Sequence, residues 1–408
     1  MNQGSGLSPE SRRIVLLDVY RGFAIFGIFV VNIEIMNCIP LNQEGFYSNF
    51  QDFWNQLADQ IRRLFFYSKF FPIFSLLFGL GVAMQIQKRK HLGYSYTRFI
   101  SWRMVILLLI GIGHILFLWS GDVVHMYAII GFFVPFIHSF RRKHILIASM
   151  LLLIGFSWIG QWILEGLLQL LGQFGINPEQ MFDNKYSVEH IPEIIANGSY
   201  STGVEFRFYD YLFNLPLAYS YFFPLALSMI TLGVGLAKTS FLRKPQELIE
   251  RIKTPVLIVA VLSNLYRLFF LYVVLDQGWH RTEDWGPWLL WMMPICDVLM
   301  GLFYLWLIGW MYQFNWVQKV LNPLSYVGKM ALSNYLLQSL FGLVLFTGIG
   351  FGAYMKFSQW ETLLIALAFF LIQIILSKWW LTYFRFGLIE WIWRSLTYGK
   401  WITIKQKA

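Results

Sequence analysis

The chain reads as all-α: a polytopic membrane helix bundle of about ten transmembrane helices, both termini cytoplasmic, closed by an amphipathic helix lying in the membrane interface. Three observations predict this. Hydrophobic residues make up 57% of the 408 and charged ones only 13%, with a mean hydropathy of +0.54, too apolar and too long for one soluble core. Apolar stretches near the ~20 residues a helix needs to cross a bilayer recur along the whole length. Lysine and arginine concentrate in alternate loops.

In order, the stretches fall near 14–38, 65–87, 99–120, 122–140, 144–172, 209–237, 254–276, 286–313, 328–352 and 358–383. Only Ser120-Gly121-Asp122 separates the third from the fourth, so these two form a hairpin. Arg12, Arg13, Lys88, Arg89, Lys90, Arg141, Arg142, Lys143, Arg243, Lys244, Arg251, Lys253, Lys400, Lys405 and Lys407 fall on one side. Glu44, Asp52, Asp59, Glu179, Asp183, Glu189, Glu193, Asp276, Glu283 and Asp284 fall on the other. The positive-inside rule makes the basic side cytoplasmic. The connection 173–208 is polar and extracytoplasmic, with Asn177-Pro178, Asn184, His190 and Asn197-Gly198; it reads either as a lid over a cavity or as a solvated loop. The cytoplasmic tail 384–408 places Leu388, Ile389, Trp391, Ile392 and Trp393 among Arg385, Glu390 and Arg394, the pattern of an interfacial helix. Residues 1–408 thus form a single integral membrane domain.

The 18 tryptophans suit the aromatic belts at the two membrane surfaces. The net charge of +10 is dispersed over short loops, which argues topology and excludes a nucleic-acid-binding face. Cys38 and Cys296 are too few for a zinc site or a disulfide framework. No metal site, phosphate-binding glycine loop or serine-hydrolase elbow is apparent, so no tightly bound cofactor is expected. The first span carries its own charges and lacks a cleavage site, so it is expected to remain as a helix.

Ionisable side chains at membrane depth cost roughly 2.5–3.5 kcal/mol each on insertion scales and mark sites or pathways. On the first span Asp18 and Arg21 are three residues apart on one face, and Asn32 returns to that stripe about three turns later. The stripe is either a structural ion pair with a snorkelling arginine or one wall of a functional groove. In the hairpin, His114, Asp122 and His125 converge near the outer leaflet. A carboxylate beside imidazoles suits general acid–base chemistry, and Asp122 also suits a helix N-cap. Lys69 is either an anion site or a lysine snorkelling from a span end. Arg267, beside Asn264, and Asp297 sit at matched depth on adjacent spans, which predicts an ion pair serving packing registry or substrate binding. Ser333, Asn334 and Gln338 form a polar patch that suits interhelical hydrogen bonds or substrate.

Several stretches resemble the YeiB-like family of bacterial inner-membrane proteins, whose characteristic domain is of unknown function. They are Leu17-Asp18-Val-Tyr-Arg21-Gly22 through Gly27 with Val31-Asn32, Lys69-Phe-Phe-Pro-Ile-Phe-Ser75 through Gly81, and Gly113-His114 through Trp119-Ser-Gly121-Asp122. Gly328-Lys329-Met-Ala331-Leu-Ser333-Asn334-Tyr335-Leu-Leu-Gln338-Ser339 and Phe384-Arg385 through Arg394 extend the likeness to the C-terminus. The first-span pattern also resembles the transmembrane acyltransferase superfamily, which includes sugar O-acetyltransferases and the lysosomal heparan glucosaminide N-acetyltransferase. That resemblance implies transfer of an acyl group from cytoplasmic acyl-CoA, as co-substrate, to an acceptor beyond the bilayer. The O-acetyltransferase pattern has a histidine where this chain has Asn32, and residues 39–64 hold no histidine for the heparan-type arrangement. His114, with Asp122 or His125, would have to take over as base.

Two functions follow. One is a membrane acyltransferase acting on an extracytoplasmic glycan or lipid-linked acceptor, with His114, Asp122 and His125 catalytic. Asp18, Arg21, Asn32, Lys69, Arg267, Asp297, Asn334 and Gln338 would bind substrate. The other is a small-molecule transporter of the inner membrane that uses the same buried charges as binding and proton-relay groups. The lipid bilayer, acyl-CoA and the acceptor are the expected partners, with a homodimer allowed.

Overall fold

A computed structural model describes residues 9–91, 93, 95–183, 185–239 and 245–406. Asn184, Arg243, Lys244 and Lys407 lie outside the described residues, as do the side chains of Arg12, Arg13, Glu179 and Asp183. The described chain is a helical bundle without named strands; a single bridge pairs Phe384 with Lys405.

In chain order the helices are α1 (Pro9–Asn37), α2 (Pro40–Tyr47), α3 (Phe53–Ile61), α4 (Phe70–His91), α5 (Thr97–Phe117), α6 (Val124–Ser139), α7 (Arg142–Ile154) and α8 (Phe156–Gln173). Then follow α9 (Pro178–Asp183), α10 (Ile191–Asn197), α11 (Tyr200–Phe213), α12 (Leu215–Leu217), α13 (Phe223–Ala237), α14 (Pro245–Arg251), α15 (Lys253–Phe269) and α16 (Gly286–Met311). The last are α17 (Asn315–Leu321), α18 (Leu324–Lys329), α19 (Ala331–Phe346), α20 (Gln359–Tyr383) and α21 (Leu388–Tyr398). Each of the ten apolar stretches therefore holds helix. Seven helical runs are long and apolar enough to cross a membrane, and the pair α7 and α8 makes an eighth if taken as one span. α6 and α19 are shorter apolar helices.

Local chemistry explains where several helices start. Asp52 caps α3 by accepting from the Trp54 and Asn55 amides at 3.0 and 3.3 Å. Ser358 and Glu361 form a reciprocal capping box at α20, and Ser199 caps α11. The stretch read as one span over 144–172 breaks at Gly155, where α7 and α8 meet at a 76° bend. The stretch read as 65–87 also differs: α3 leads into a π-helical turn, Arg62–Phe66, and helix resumes only at Phe70. Ser68 between them takes a left-handed φ of 61°.

That break frees backbone carbonyls at membrane depth, where water cannot satisfy them. Arg267 supplies the donors. Its Nη2 reaches the carbonyls of Leu64 and Arg63 at 2.6 and 3.1 Å, while Lys69 Nζ reaches those of Tyr67 and Arg63 at 2.8 and 3.3 Å. Asp297 Oδ1 balances both cations, 2.7 Å from Arg267 Nε and 3.0 Å from Lys69 Nζ. Lys69 is thus sealed in the interior instead of snorkelling.

The core forms two clusters. The larger joins α1, α4, α5, α6, α13 and α16 through residues such as Ile25, Leu80, Met104, Ile130 and Ile230. The smaller gathers Phe29, Ile33, Phe346 and Tyr354 with Phe182, Tyr186, Ile191 and Phe206 from the 173–213 region. That region, the lid, therefore buries these four side chains against the bundle. Its hydrogen bonds run from Gly348 N to Ile195 O at 3.0 Å and from the Tyr200 hydroxyl to Phe117 O at 2.9 Å. The opposite end carries basic residues: Lys90, His91, His138 and Lys238 share one cleft where α4, α6 and α13 finish.

α1 and α18 approach with almost no space between backbones. A Cβ placed on Gly328 would lie 1.8 Å from the Asp18 carbonyl oxygen, so only glycine fits. Gly328→Val is expected to lower unfolding stability by at least about 1–3 kcal/mol, the usual range for overpacking. Gly45→Ala, which faces open space within α2, should not lower stability in the same thermal unfolding measurement in detergent.

Candidate functional site

The connector between α5 and α6 folds back tightly, with the Leu118 and Trp119 amides both donating to His114 O at 3.0 and 2.9 Å. It delivers Asp122 between the two helices. Asp122 Oδ2 is 2.8 Å from His114 Nδ1, and Oδ1 is 2.8 Å from both the His125 amide and His125 Nδ1. An ionised carboxylate only accepts, so both Nδ1 atoms carry a proton, and in the neutral ring each Nε2 is then an acceptor. His114 Nε2 accepts from the Ser339 hydroxyl at 2.7 Å, and His125 Nε2 from the Tyr211 hydroxyl at 3.0 Å. The side chains of His114 and Asp122 are fully enclosed. Gly111 permits the arrangement, because a Cβ there would lie 2.6 Å from the His125 nitrogen.

Two cavities lie nearby; Asp122 lines the first, while His114 and His125 line neither. On the lid side, one of about 310 Å³ is lined by Asn32, Tyr67, Trp119, Asp122, Tyr211 and Tyr335, among others. At the basic end, one of about 210 Å³ is lined by Arg21, Gln85, Arg103, Lys329, Glu390 and Arg394 beside Trp393. Four helices, α1, α4, α6 and α19, contribute to both. On α4 the lid-side lining ends at Phe71 and the basic-end lining begins at Phe74, a rise of about 4.5 Å. Tyr127 fills the divide, its ring stacked on Phe71, Phe74 and Phe78 with centroids 5.9, 5.8 and 5.3 Å away.

The basic cavity has an unusual charge balance. Arg103 is 6% exposed, stacks its guanidinium 3.6 Å over the Trp393 ring, and its Nε has no hydrogen-bond partner. The one acidic lining residue, Glu390, is occupied: its Oε1 accepts from the Leu332 and Ser333 amides at 2.7 and 3.1 Å, capping α19. Burial raises the pKa of this tail carboxyl, while the Ser333 hydroxyl and amides draw it down. Burial likewise lowers the pKa of the Arg394 guanidinium.

The remaining residues singled out from sequence divide by place. Asp18 holds Arg21 Nη1 at 2.8 Å beside the basic cavity, and Asn32 lines the other. Lys69, Arg267 and Asp297 form the lock on the π-helical turn, with Asn264 accepting from Arg267 Nη1 at 3.2 Å. Asn334 and Gln338 tie α19 to α20: Asn334 Nδ2 lies 3.0 Å from Ser377 Oγ, and Gln338 Nε2 lies 2.9 Å from Gln373 Oε1. Lys69, Asn264, Arg267, Asp297, Asn334 and Gln338 line neither of the two cavities.

Sequence reasoning did not single out Glu34, Arg62 and Tyr67. Arg62, with no exposed surface, lies 3.4 Å from Glu34 and donates to Gln359 O and Thr362 Oγ1 at 2.8 and 2.9 Å. The Tyr67 hydroxyl donates to Glu34. Glu34 is a visible signal, a second carboxylate on the first span, whereas Arg62 falls between the stretches 14–38 and 65–87. Arg103, Tyr211 and Ser339 carried no signal of their own. Among the described residues, no group of three or more His, Cys, Asp or Glu side chains is placed to hold a metal ion.

A family model described as a protein of unknown function (DUF418) matches residues 236–400. The uncharacterized protein YxaH of Bacillus subtilis (strain 168) is 30% identical, over 99% of both chains. The chain belongs to the YeiB-like family. YeiB itself, an uncharacterized protein of Escherichia coli (strain K12), is 29% identical over 94% of this chain and 96% of its own. An uncharacterized 39.9 kDa protein encoded in the amylase 3' region of Bacillus acidopullulyticus is 26% identical over 95% of this chain and 94% of its own. No solved structure matches. Family membership thus rests on likeness along nearly the whole chain, and the names of these three relatives give no function.

The lock and the cavity walls should respond differently to mutation. Asp297→Ala leaves two buried cations without a counter-charge and is expected to destabilise the protein by about 3–5 kcal/mol. Asn32→Ala, on a cavity wall, should shift stability by less than about 1 kcal/mol. Thermal unfolding of both variants in one detergent checks the contrast.

Proposed function

We propose that this YeiB-like protein is an acyltransferase of the bacterial cytoplasmic membrane. It takes an acyl group from acyl-CoA at the basic end and delivers it to a glycan or lipid-linked acceptor beneath the lid. The observation that carries the reading is the pair of cavities on the same four helices, one turn apart, with Asp122, which holds His114 and His125, on the wall of the lid-side one.

Each cavity suits one half of the task. Arg21, Arg103, Lys329 and Arg394 give the basic cavity a cationic lining, and guanidinium groups are good partners for the phosphates of CoA. Facing the cytoplasm, as the positive-inside rule asks of the basic end, this cavity meets the cellular pool of acyl-CoA. The lid-side cavity offers hydroxyl and amide groups from Asn32, Tyr67 and Tyr211, suited to a polyhydroxylated acceptor. His114 would take the proton from the attacking group, held in one tautomer by Asp122. This puts a base at outer-leaflet depth in a chain that has Asn32 where the O-acetyltransferase pattern has histidine.

Acetyl-CoA and longer acyl-CoAs are expected to raise the thermal stability of the detergent-purified protein in a dose-dependent way. Ligand at about 100 times Kd adds about 2.7 kcal/mol. The shift should vanish in Arg21→Ala and in Arg103→Gln. If no thioester shifts a folded protein, the acyltransferase reading falls. The two cavities would then read as alternately opened chambers of a small-molecule transporter, tested by counterflow in proteoliposomes.

A further inference from the structure

Beneath the lid lies a third cavity, of about 70 Å³, with walls from α1, α5, α10, α11 and α19. It shares Trp119, Ser120 and Asp210 with the larger lid-side cavity. Two of its lining residues are unusual. Ser339 presents the hydroxyl that donates to His114 Nε2 at 2.7 Å, with Asp122 holding the far side of the same ring at 2.8 Å. Arg207, 6% exposed, donates through Nε to Leu116 O at 2.8 Å, while its Nη2 is buried with no hydrogen-bond partner. A hydroxyl in line with an imidazole and a carboxylate is an activated nucleophile. An unsatisfied guanidinium nitrogen on the same cavity is a donor lacking its acceptor.

We propose that Ser339 is an acyl-carrying nucleophile, with His114 its base, Asp122 the group that orients His114, and the Arg207 Nη2 a donor to the oxyanion. The assignment rests on the acyltransferase reading for the identity of the donor. With the acyl end extended from the basic cavity past the Tyr127 divide, as this step requires, Ser339 Oγ attacks the thioester carbonyl carbon while its proton passes to His114 Nε2. The C–S bond breaks, CoA leaves as the thiol with that proton, and the acyl group remains as an ester on Ser339. In the second half, an acceptor hydroxyl or amine attacks the ester carbonyl and gives its proton to His114. The C–O bond to Ser339 breaks and the serine recovers the proton. Atoms balance without any oxidant or metal. A cavity of about 70 Å³ holds only a few water-sized groups, so a short acyl chain is the expected cargo.

The arrangement accounts for features that simple packing leaves unexplained. A serine on a buried helix face ordinarily donates to its own backbone one turn back. Here the carbonyl of Tyr335 is 3.5 Å from Ser339 Oγ, at the limit of a hydrogen bond, and the imidazole at 2.7 Å takes the proton instead. The contact bridges α5 and α19, whose residues lie 225 apart in the chain. An unpartnered Arg207 Nη2 would also cost stability with nothing gained, unless something with an oxygen visits the cavity.

The test is covalent labelling of the full-length protein in detergent with a small fluorophosphonate, read by intact mass and by peptide mapping. One adduct on Ser339 is expected, absent in Ser339→Ala and His114→Ala. In Arg207→Gln its formation should slow by about 10²-fold, the usual loss when an oxyanion donor is removed. Radiolabelled acetyl-CoA should leave acetyl on Ser339, and on the cysteine of Ser339→Cys, a variant that keeps the helix packing. If the folded wild type takes no adduct at Ser339 with either reagent but is stabilised by acyl-CoA, the nucleophile is refuted and the acyltransferase reading survives. If the fluorophosphonate marks Ser339 while no acyl-CoA binds, the nucleophile survives and the donor is a different ester. If neither occurs, both readings fall.

Discussion

Asp122 bound on both carboxylate oxygens is the constraint around which the centre of this protein is organised. A carboxylate enclosed between helices cannot remain charged unless its lone pairs are met, and two imidazoles and one amide meet them here. That single choice dictates the rest of the network. It fixes the tautomer of both histidines, sends one Nε2 toward α19 and the other toward α11, and requires Gly111 to admit His125 against α5. The lid, through Tyr211, is therefore attached to the same carboxylate that closes the hairpin. A core built this way has polar specificity: its members hold one another in one arrangement, and substituting any of them exposes a partner rather than a void.

The same logic, met with different parts, organises the other buried charges. At the π-helical turn the difficulty is unsatisfied carbonyls, so cations are drawn in and Asp297 is needed to balance them. At α19 the difficulty is free amides at a helix start, and the solution is an anion, Glu390, carried in from the tail. Arg62 closes a third such gap by joining α1 to the start of α20. In the bilayer interior irregular backbone and ionised side chains thus occur together, each neutralising the cost of the other. Arg103 and Arg207 stand apart because each keeps a nitrogen without an acceptor on a cavity wall.

Much of this was legible in the sequence because the bilayer imposes a simple code. Span length and apolar composition located every long helix, and charge rarity at depth pointed to Asp18, His114, Asp122, Arg267 and Asp297. The hairpin was readable from three residues, since Ser120-Gly121-Asp122 allows no other path. What could not be read came from two sources. Helix breaks at Gly155 and around Ser68 depend on tertiary partners, which neither hydropathy nor spacing records. Contacts between distant helices, such as Ser339 with His114 or Arg62 with Glu34, join residues whose individual identities are ordinary. Depth also misled in one respect: of the two readings of Lys69, an anion site or a lysine reaching for water, neither anticipates the carbonyls released by the neighbouring break that hold it.

The bend between α7 and α8 bears on how the protein meets its lipid surroundings. α7 has 13 residues and rises roughly 20 Å, well short of the roughly 30 Å hydrocarbon thickness, before the chain turns through 76°. α8 then presents Trp158, Trp162, Leu168 and Leu170 outward. An apolar arm set so steeply to a helix too short to cross alone cannot follow that helix's direction through the bilayer. On that flank the bilayer is met by a wedge instead of a wall, which couples the packing of neighbouring lipids to α13, against which both arms rest.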